Sequence, residues 1–222
     1  MTQLKGLVFD MDGTLVDNLE YHFISFDEYA RRKGLTLLEP MSLKLNGMHS
    51  DDVFRTMLGE EQCKNYSLDE LNRGKEEVYR EMYRGHIEPL AGIMDLLREA
   101  KERGVKCAIG SSGCRENVEF IIDGLGIADL IDVSISGSDV THGKPHPEIF
   151  ATAIERMRLK PEECIVVEDA VNGILAGVAA GCKCLAITTT STDEALTNAG
   201  ATMCAKDFAD ITIDKLNQML NS

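Results

Sequence analysis

No stretch of this sequence approaches the ~18 consecutive apolar residues that a membrane-spanning helix requires, so no span is expected. Basic residues are scarce beside acidic ones: 23 Lys and Arg stand against 37 Asp and Glu, for a formal charge of -14. Such a chain lacks the basic surface that nucleic acid or an anionic membrane demands. A small anionic substrate stays open, because a metal ion and one or two lysines can invert a local field. The seven cysteines are odd in number and lack framework spacing. Cys182 and Cys184 are one residue apart, not the two of a zinc or redox pair. Cys107, Cys164 and Cys184 fall in apolar, strand-like runs, where a thiol packs as a small hydrophobe. Reduced thiols in a cytoplasm are therefore expected, with a monomer as the default state. The N-terminus enters a strand pattern directly, so no signal peptide is expected. Internal repeats and low-complexity tracts are absent.

What is present begins at Leu4–Phe9, where Leu7-Val8-Phe9 forms a continuous apolar run suited to a strand buried on both faces. Asp10-Met11-Asp12-Gly13-Thr14 follows at once. Two carboxylates one residue apart at a strand end have two readings. One is a common Asp/Gly turn. The other is a metal site in which one carboxylate attacks an electrophile and the other moves a proton. Beyond it, Asp17 with Glu20 has the form of a helix-starting capping box, and Leu19, Phe23, Phe26 and Ala30 keep helical spacing up to Arg31-Arg32-Lys33-Gly34. The strand signal then disappears until about Glu88. Asp51–Leu58 and Leu68–Tyr83 read as helices, with Gly47, Gly59 and Gly74 as interruptions. The expected division is a helical insertion over residues 17–88, and a core made of residues 1–16 and 89–222.

From Leu90 the pattern alternates. Helices are predicted through Ile93–Ala100, Val118–Leu125, Ile149–Met157, Val171–Val178 and, at the end, Phe208–Leu220. Strands are predicted at Val105–Gly110, Ile131–Ile135, Cys164–Val167 and Lys183–Ile187, with a weaker one at Ala201–Cys204. Helix–strand alternation implies right-handed parallel crossovers, hence a doubly wound, Rossmann-like α/β sheet carrying an inserted helical domain. Ligands bind such sheets beyond the carboxyl ends of the strands. Those positions hold Asp10 and Asp12, Ser111 and Ser112, and Glu168 and Asp169, joined by Lys144 from a loop before a helix. Singly, each has a bland explanation: a helix cap, a solvated lysine, a turn. Together they supply hard oxygen donors for Mg2+ and hydroxyls, a helix start and an ammonium for phosphate. That combination is a metal-assisted phosphoryl-transfer site.

Four stretches resemble the four motifs of the haloacid dehalogenase superfamily, in order and across nearly the whole chain. They are Phe9-Asp10-Met11-Asp12-Gly13-Thr14-Leu15, the strand-terminal Ser111, Gly143-Lys144-Pro145-His146-Pro147-Glu148-Ile149-Phe150, and Val166-Val167-Glu168-Asp169-Ala170-Val171-Asn172-Gly173. The insertion is similar to the helical cap of subgroup I. The Glu168-Asp169 pair and Asp17 through Tyr21-His22-Phe23 resemble the branch of β-phosphoglucomutase and sugar-phosphate phosphatases. The resemblance implies that Asp10 attacks phosphorus to form an aspartyl-phosphate and that Asp12 serves as proton donor and then acceptor. It further implies that Mg2+ is held by Asp10, the Asp12 main-chain carbonyl and Asp169, with Glu168 as ligand or outer partner. Ser111, with Ser112, and Lys144 would hold the phosphoryl oxygens.

Substrate choice should lie in the insertion. The mutase branch carries a histidine, a loop arginine and a lysine there. His22 matches the first and Lys75 the third, although charged residues on the Lys75 helix should mostly form a solvated face. Ser50 stands where the arginine would be and cannot replace its planar fork, which suits the distal phosphate of a bisphosphate. The balance falls on hydrolysis of a small sugar or polyol phosphate, with β-phosphoglucomutase as the alternative. Arg115 and Asn172, close to motif positions, join His22, Ser50 and Lys75 as substrate-contact candidates. Inorganic pyrophosphate would also fit the core. A dehalogenase would need neither the Asp12 proton donor nor a Mg2+ cluster.

Overall fold

Among the described residues, six strands form one parallel sheet: β1 (Gly6–Phe9), β2 (Lys106–Gly110), β3 (Val133–Ile135), β4 (Cys164–Glu168), β5 (Lys183–Ile187) and β6 (Met203–Ala205), in the order β3-β2-β1-β4-β5-β6. The structure, a computed structural model, describes residues 2–41 and 50–222. Residues 47–49, including Gly47, lie outside the described residues, and so does the side chain of Ser50. The chain divides into two compact units, Met1–Asp17 with Ile87–Ser222, and Asn18–His86.

The smaller unit is helical: α1 (Leu19–Lys33), α2 (Ser50–Leu58), α3 (Glu60–Cys63) and α4 (Leu68–Tyr83). Its apolar core gathers Phe26, Tyr29, Phe54, Met57, Leu71 and Val78. Two local expectations fail here. Asp17 is exposed, and Asn18 takes the N-cap position of α1 without a side-chain cap bond. Its Nδ2 turns inward instead, to the Tyr79 hydroxyl at 2.6 Å. Gly74 does not interrupt α4: a Cβ there would meet Tyr29 Cε2 at 2.3 Å, so the glycine lets that ring pack against the helix. Gly59, by contrast, does break the chain between α2 and α3, at φ 79°. Gly34 ends α1 in the left-handed conformation, its N–H bonding Ala30 and Arg31 carbonyls.

In the larger unit, helices α5 (Ile93–Glu102), α6 (Arg115–Leu125), α7 (Glu148–Met157), α8 (Val171–Ala179), α9 (Asp193–Asn198) and α10 (Ile213–Leu220) alternate with the strands. β1 and β4 are buried at every residue, as their unbroken apolar runs require. One core cluster brings Val8, Ala108, Val166 and Cys184 of the sheet against Phe150 and Ile174 of the helices. The short α9 follows no strong apolar stripe; its start is marked by Thr192, whose hydroxyl accepts the Ala195 N–H. The terminal helix is shorter than its sequence pattern, beginning at Ile213 after a Thr212 cap.

Register sets up the site. Phe9 pairs with Ile109 of β2 on one side and Val167 of β4 on the other. Asp10, the residue after β1, therefore lies level with Gly110 and Glu168, the last residues of β2 and β4, with Ser111 and Asp169 one residue further on. At the same edge Val16 bridges both Asp12 and Pro89, and the Leu90 N–H donates to the Leu15 carbonyl at 2.9 Å. The two ends of the helical insertion thus leave the core side by side.

Candidate active site

Asp10 follows the last residue of β1, and its N–H donates to Val167 O of β4 at 2.8 Å. This anchors its backbone between two strands and leaves its side chain at the strand ends, 7% exposed. The turn after it closes on Met11, whose carbonyl accepts the N–H of Thr14 and of Leu15. Gly13 adopts φ 85°, and a Cβ there would meet Asp169 Oδ2 at 2.2 Å. Conformation and space both demand glycine. Across the site, the Ser111 hydroxyl and the Asp12 carboxylate flank Gly113. A Cβ on that glycine would lie 3.2 Å from Ser111 Oγ and 3.7 Å from Asp12 Oδ2.

Ser111 is buried and its Oγ accepts the Gly113 N–H at 3.0 Å, which leaves the hydroxyl proton available to donate. Ser112 is exposed, and α6 starts only at Arg115 with Cys114 as its N-cap. The two serines therefore belong to a turn ahead of the helix, as their sequence suggests, and the helix start itself lies at Cys114. Lys144 reaches in from the loop before α7, donating to Asp10 Oδ1 at 2.5 Å and to Glu168 Oε1 at 2.8 Å. Glu168 is the last residue of β4. Its Oε2 accepts the Asp169 and Ala170 N–H groups, each at 2.6 Å. Gly173, on the first turn of α8, presses against this carboxylate: a Cβ there would meet Oε1 at 1.7 Å. Asp169 is held by two hydroxyls, Thr14 on Oδ1 at 3.1 Å and Thr190 on Oδ2.

Burial pushes the Asp10 carboxyl well above the usual carboxylate range; Lys144 opposes this, and Glu168, Asp169 and Asp12 add to it. Asp169 is raised too, by burial and then by Glu168, against the Thr190 hydroxyl, Lys144 and the Thr14 hydroxyl. Burial disfavours the Lys144 charge, yet Asp10 and Glu168 outweigh it and hold the ammonium above the ordinary lysine value. Burial leads for both aspartates, and the crowding of carboxylates around Lys144 adds to their shifts while holding the ammonium charged. Asp10, Glu168 and Asp169 each bring an oxygen within 4.8 Å of the others. A divalent cation corrects that charge imbalance, and buried carboxylate oxygens are the donors Mg2+ takes. The residues fit the ion.

The other sequence candidates have surroundings of their own. Arg115 is tied down, its guanidinium paired with Asp139 and 3.3 Å from Ser134 Oγ. Asn172 is exposed at the start of α8. In the helical unit, Lys75 is not on a solvated face: it is 3% exposed, 3.0 Å from His22 Nδ1, 2.9 Å from Glu76 and 4.5 Å above the Phe26 ring. His22 stacks on Tyr79 with centroids 3.9 Å apart. The structure also adds Thr189 and Thr190 to the core site, the first donating to Gly13 O at 2.5 Å. Both follow β5, so the strand-end rule that picked out Ser111 and Asp169 would have found them.

Residues 7–187 match the family model of the haloacid dehalogenase-like hydrolases. Validoxylamine A 7'-phosphate phosphatase of Streptomyces hygroscopicus subsp. limoneus is 30% identical over 93% of this chain and 95% of its own. β-Phosphoglucomutase of Bacillus subtilis is 27% identical over 97% and 95%. A crystal structure of a HAD hydrolase of family IA, variant 3, from Entamoeba histolytica superposes with a TM-score of 0.87, at 25% identity, covering 99% of this chain and 100% of that one. The chain is an enzyme that belongs to the haloacid dehalogenase-like hydrolase family, in the branch that holds β-phosphoglucomutase and the sugar-phosphate phosphatases.

Proposed function

We propose that this enzyme is a Mg2+-dependent phosphatase of a small sugar or polyol phosphate, working through an aspartyl-phosphate on Asp10 as a monomer in the cytoplasm. One observation carries the reading: Lys144 bonds Asp10 and Glu168 at the strand ends where Asp169 also lies. Asp10 and Asp169 would hold Mg2+, with the Asp12 main-chain carbonyl. Glu168 suits an outer role, because Oε2 already accepts two N–H groups and Oε1 the lysine. The bound ion supplies positive charge against the phosphoryl oxygens.

The protein groups divide the rest. Asp10 Oδ attacks phosphorus as the bond to the leaving oxygen breaks. Asp12, on the far side of the turn, gives that oxygen a proton and afterwards takes one from the water that hydrolyses the acyl phosphate. Lys144 lowers the repulsion between Asp10 and the incoming anion, and its third N–H can bind a phosphoryl oxygen. Ser111, whose Oγ already accepts from Gly113, donates to another. The helical unit Asn18–His86 would act as the cap that selects the substrate.

The test is phosphate release from an aryl phosphate, with and without Mg2+, in the parent and Asp10→Asn. Turnover should need the ion and vanish in the variant. Metal-independent turnover, or an unchanged variant, overturns the mechanism. The His22–Lys75 contact at 3.0 Å favours a second reading, β-phosphoglucomutase, since that branch carries both residues. Ser50 in place of arginine weighs against it. With β-glucose 1-phosphate and a trace of the 1,6-bisphosphate, free phosphate should appear faster than glucose 6-phosphate; the reverse order reassigns the enzyme.

A further inference from the structure

The loop that carries Lys144 holds a second group of ligating side chains that the phosphoryl-transfer site does not use. His142 and His146 stand on either side of the lysine in sequence, and Glu148 opens α7 two residues later. His142 Nδ1 is 2.8 Å from Glu148 Oε2, and His146 Nδ1 is 3.8 Å from the same oxygen. The two rings lie 4.6 Å apart, and one ligand atom from each residue falls within 4.8 Å of the others. Two donors each about 2.1 Å from a shared ion are roughly 3–3.4 Å apart. The observed separations bracket that value, and both imidazoles are more than half exposed, so small ring rotations would close the set.

The carboxylate is already oriented, as ligating carboxylates commonly are. Its Oε1 accepts the Thr141 N–H at 2.8 Å and its Oε2 the His142 N–H at 3.0 Å. The Glu148 N–H lies 3.3 Å from His146 Nδ1, a long bond that a metal bound at that nitrogen would replace. The donor chemistry differs from that of the strand ends. Two imidazoles and one carboxylate suit Zn2+, Co2+, Ni2+ or Cu2+, whereas the all-oxygen cluster of Asp10, Glu168 and Asp169 suits Mg2+. We propose that His142, His146 and Glu148 form a separate, surface-facing site for a borderline divalent transition metal, with water completing the coordination.

Co2+ is the probe, titrated into the full-length protein in excess Mg2+ so that the strand-end cluster is occupied. Bound metal is counted by equilibrium dialysis, and visible ligand-field bands report nitrogen ligation. One Co2+ should bind per chain, and Zn2+, which lies above Co2+ in the affinity order, should displace it. His142→Ala/His146→Ala should weaken binding at least about tenfold. His142→Gln, which keeps a polar side chain at an exposed position, should also weaken it. Asp169→Asn should leave this Co2+ in place, which separates the site from the proposed catalytic one: it stands even if the chain proves not to be a phosphatase. Absence of Co2+ binding in the parent, full displacement by Mg2+, loss in Asp169→Asn, or unchanged affinity in the double variant would each overturn the assignment.

Discussion

Replacing Gly173 by alanine sets two effects of opposite sign against each other. Alanine in place of a helical glycine favours the helix by up to about 1 kcal/mol. Here, however, the new Cβ would lie 1.7 Å from Glu168 Oε1, 1.8 Å from Cδ and 2.5 Å from Oε2. Normal contact distances require the carboxylate to withdraw by roughly 1.5 Å. Glu168 is 2% exposed and has three partners to lose: Lys144, and the Asp169 and Ala170 N–H groups. Hydrogen bonds to a charged group contribute about 1.5–3 kcal/mol each. Losing two of them outweighs the helix gain and leaves a net destabilisation of about 2–5 kcal/mol. Chemical denaturation of Gly173→Ala against the parent measures this directly. The reason for the loss can be isolated in a cycle with Glu168→Ala, which removes the colliding carboxylate. In that background Gly173→Ala should be neutral or stabilising. A loss of the same size there, or a single variant within about 0.5 kcal/mol of the parent, would refute the collision argument.

Thr190→Val removes a hydroxyl that orients Asp169 and should raise the Mg2+ concentration for half-maximal phosphatase activity about tenfold, with little change in fold by circular dichroism. Asp139 is held below the usual carboxylate range, chiefly by its Arg115 bond; its stabilising effect is complete above the unfolded value near about 4 and is lost as pH falls toward the folded one. Asp139→Asn should cost about 1 kcal/mol at pH 7, discounted for partial exposure, and the gap from the parent should narrow on acidification; a gap that widens contradicts the linkage. Thiol alkylation of the native protein at pH 8 should reach only Cys114 and Cys204, because Cys63, Cys107, Cys164, Cys182 and Cys184 are buried and burial pushes the last four thiols up to about 12. Mass spectrometry showing early modification at any of those five would contradict this.

The sheet and its polar strand ends were legible because each depends on local pattern. Unbroken apolar runs such as Leu7-Val8-Phe9 mark strands buried on both faces, and the residue after such a run faces the ligand edge. Asp10, Ser111, Lys144, Glu168 and Asp169 came from that rule and from the motif resemblance; the structure gathers Asp10, Lys144, Glu168 and Asp169, and leaves Ser111 just past the end of the neighbouring strand β2. What sequence could not convey depends on partners distant in the chain. Gly74 looks like a helix break until Tyr29 is seen against it. Asp17 has the spacing of a cap, but the inward bond from Asn18 to Tyr79 sets the start of α1. Lys75 looks like one more surface charge on an acidic and basic helix. Its burial follows from the His22, Phe26 and Glu76 side chains that enclose it. The short α9 is set by a cap and too few residues to show a period.

Val16 and Pro89 bridge each other, and Leu90 bonds Leu15, so the chain departs for the helical unit and returns at adjacent points. To the sheet, everything between is one closed loop whose ends are pinned. The entropy of closing such a loop grows only by about 0.6 kcal/mol for each doubling of its length. The core is therefore almost indifferent to how long the insertion is, or to what it contains. Descent can lengthen, replace or re-pattern that segment while the strand ends stay in register. On the proposed role of that unit, new substrates can then be tried on an unchanged reaction centre, as a tool holder takes one bit after another.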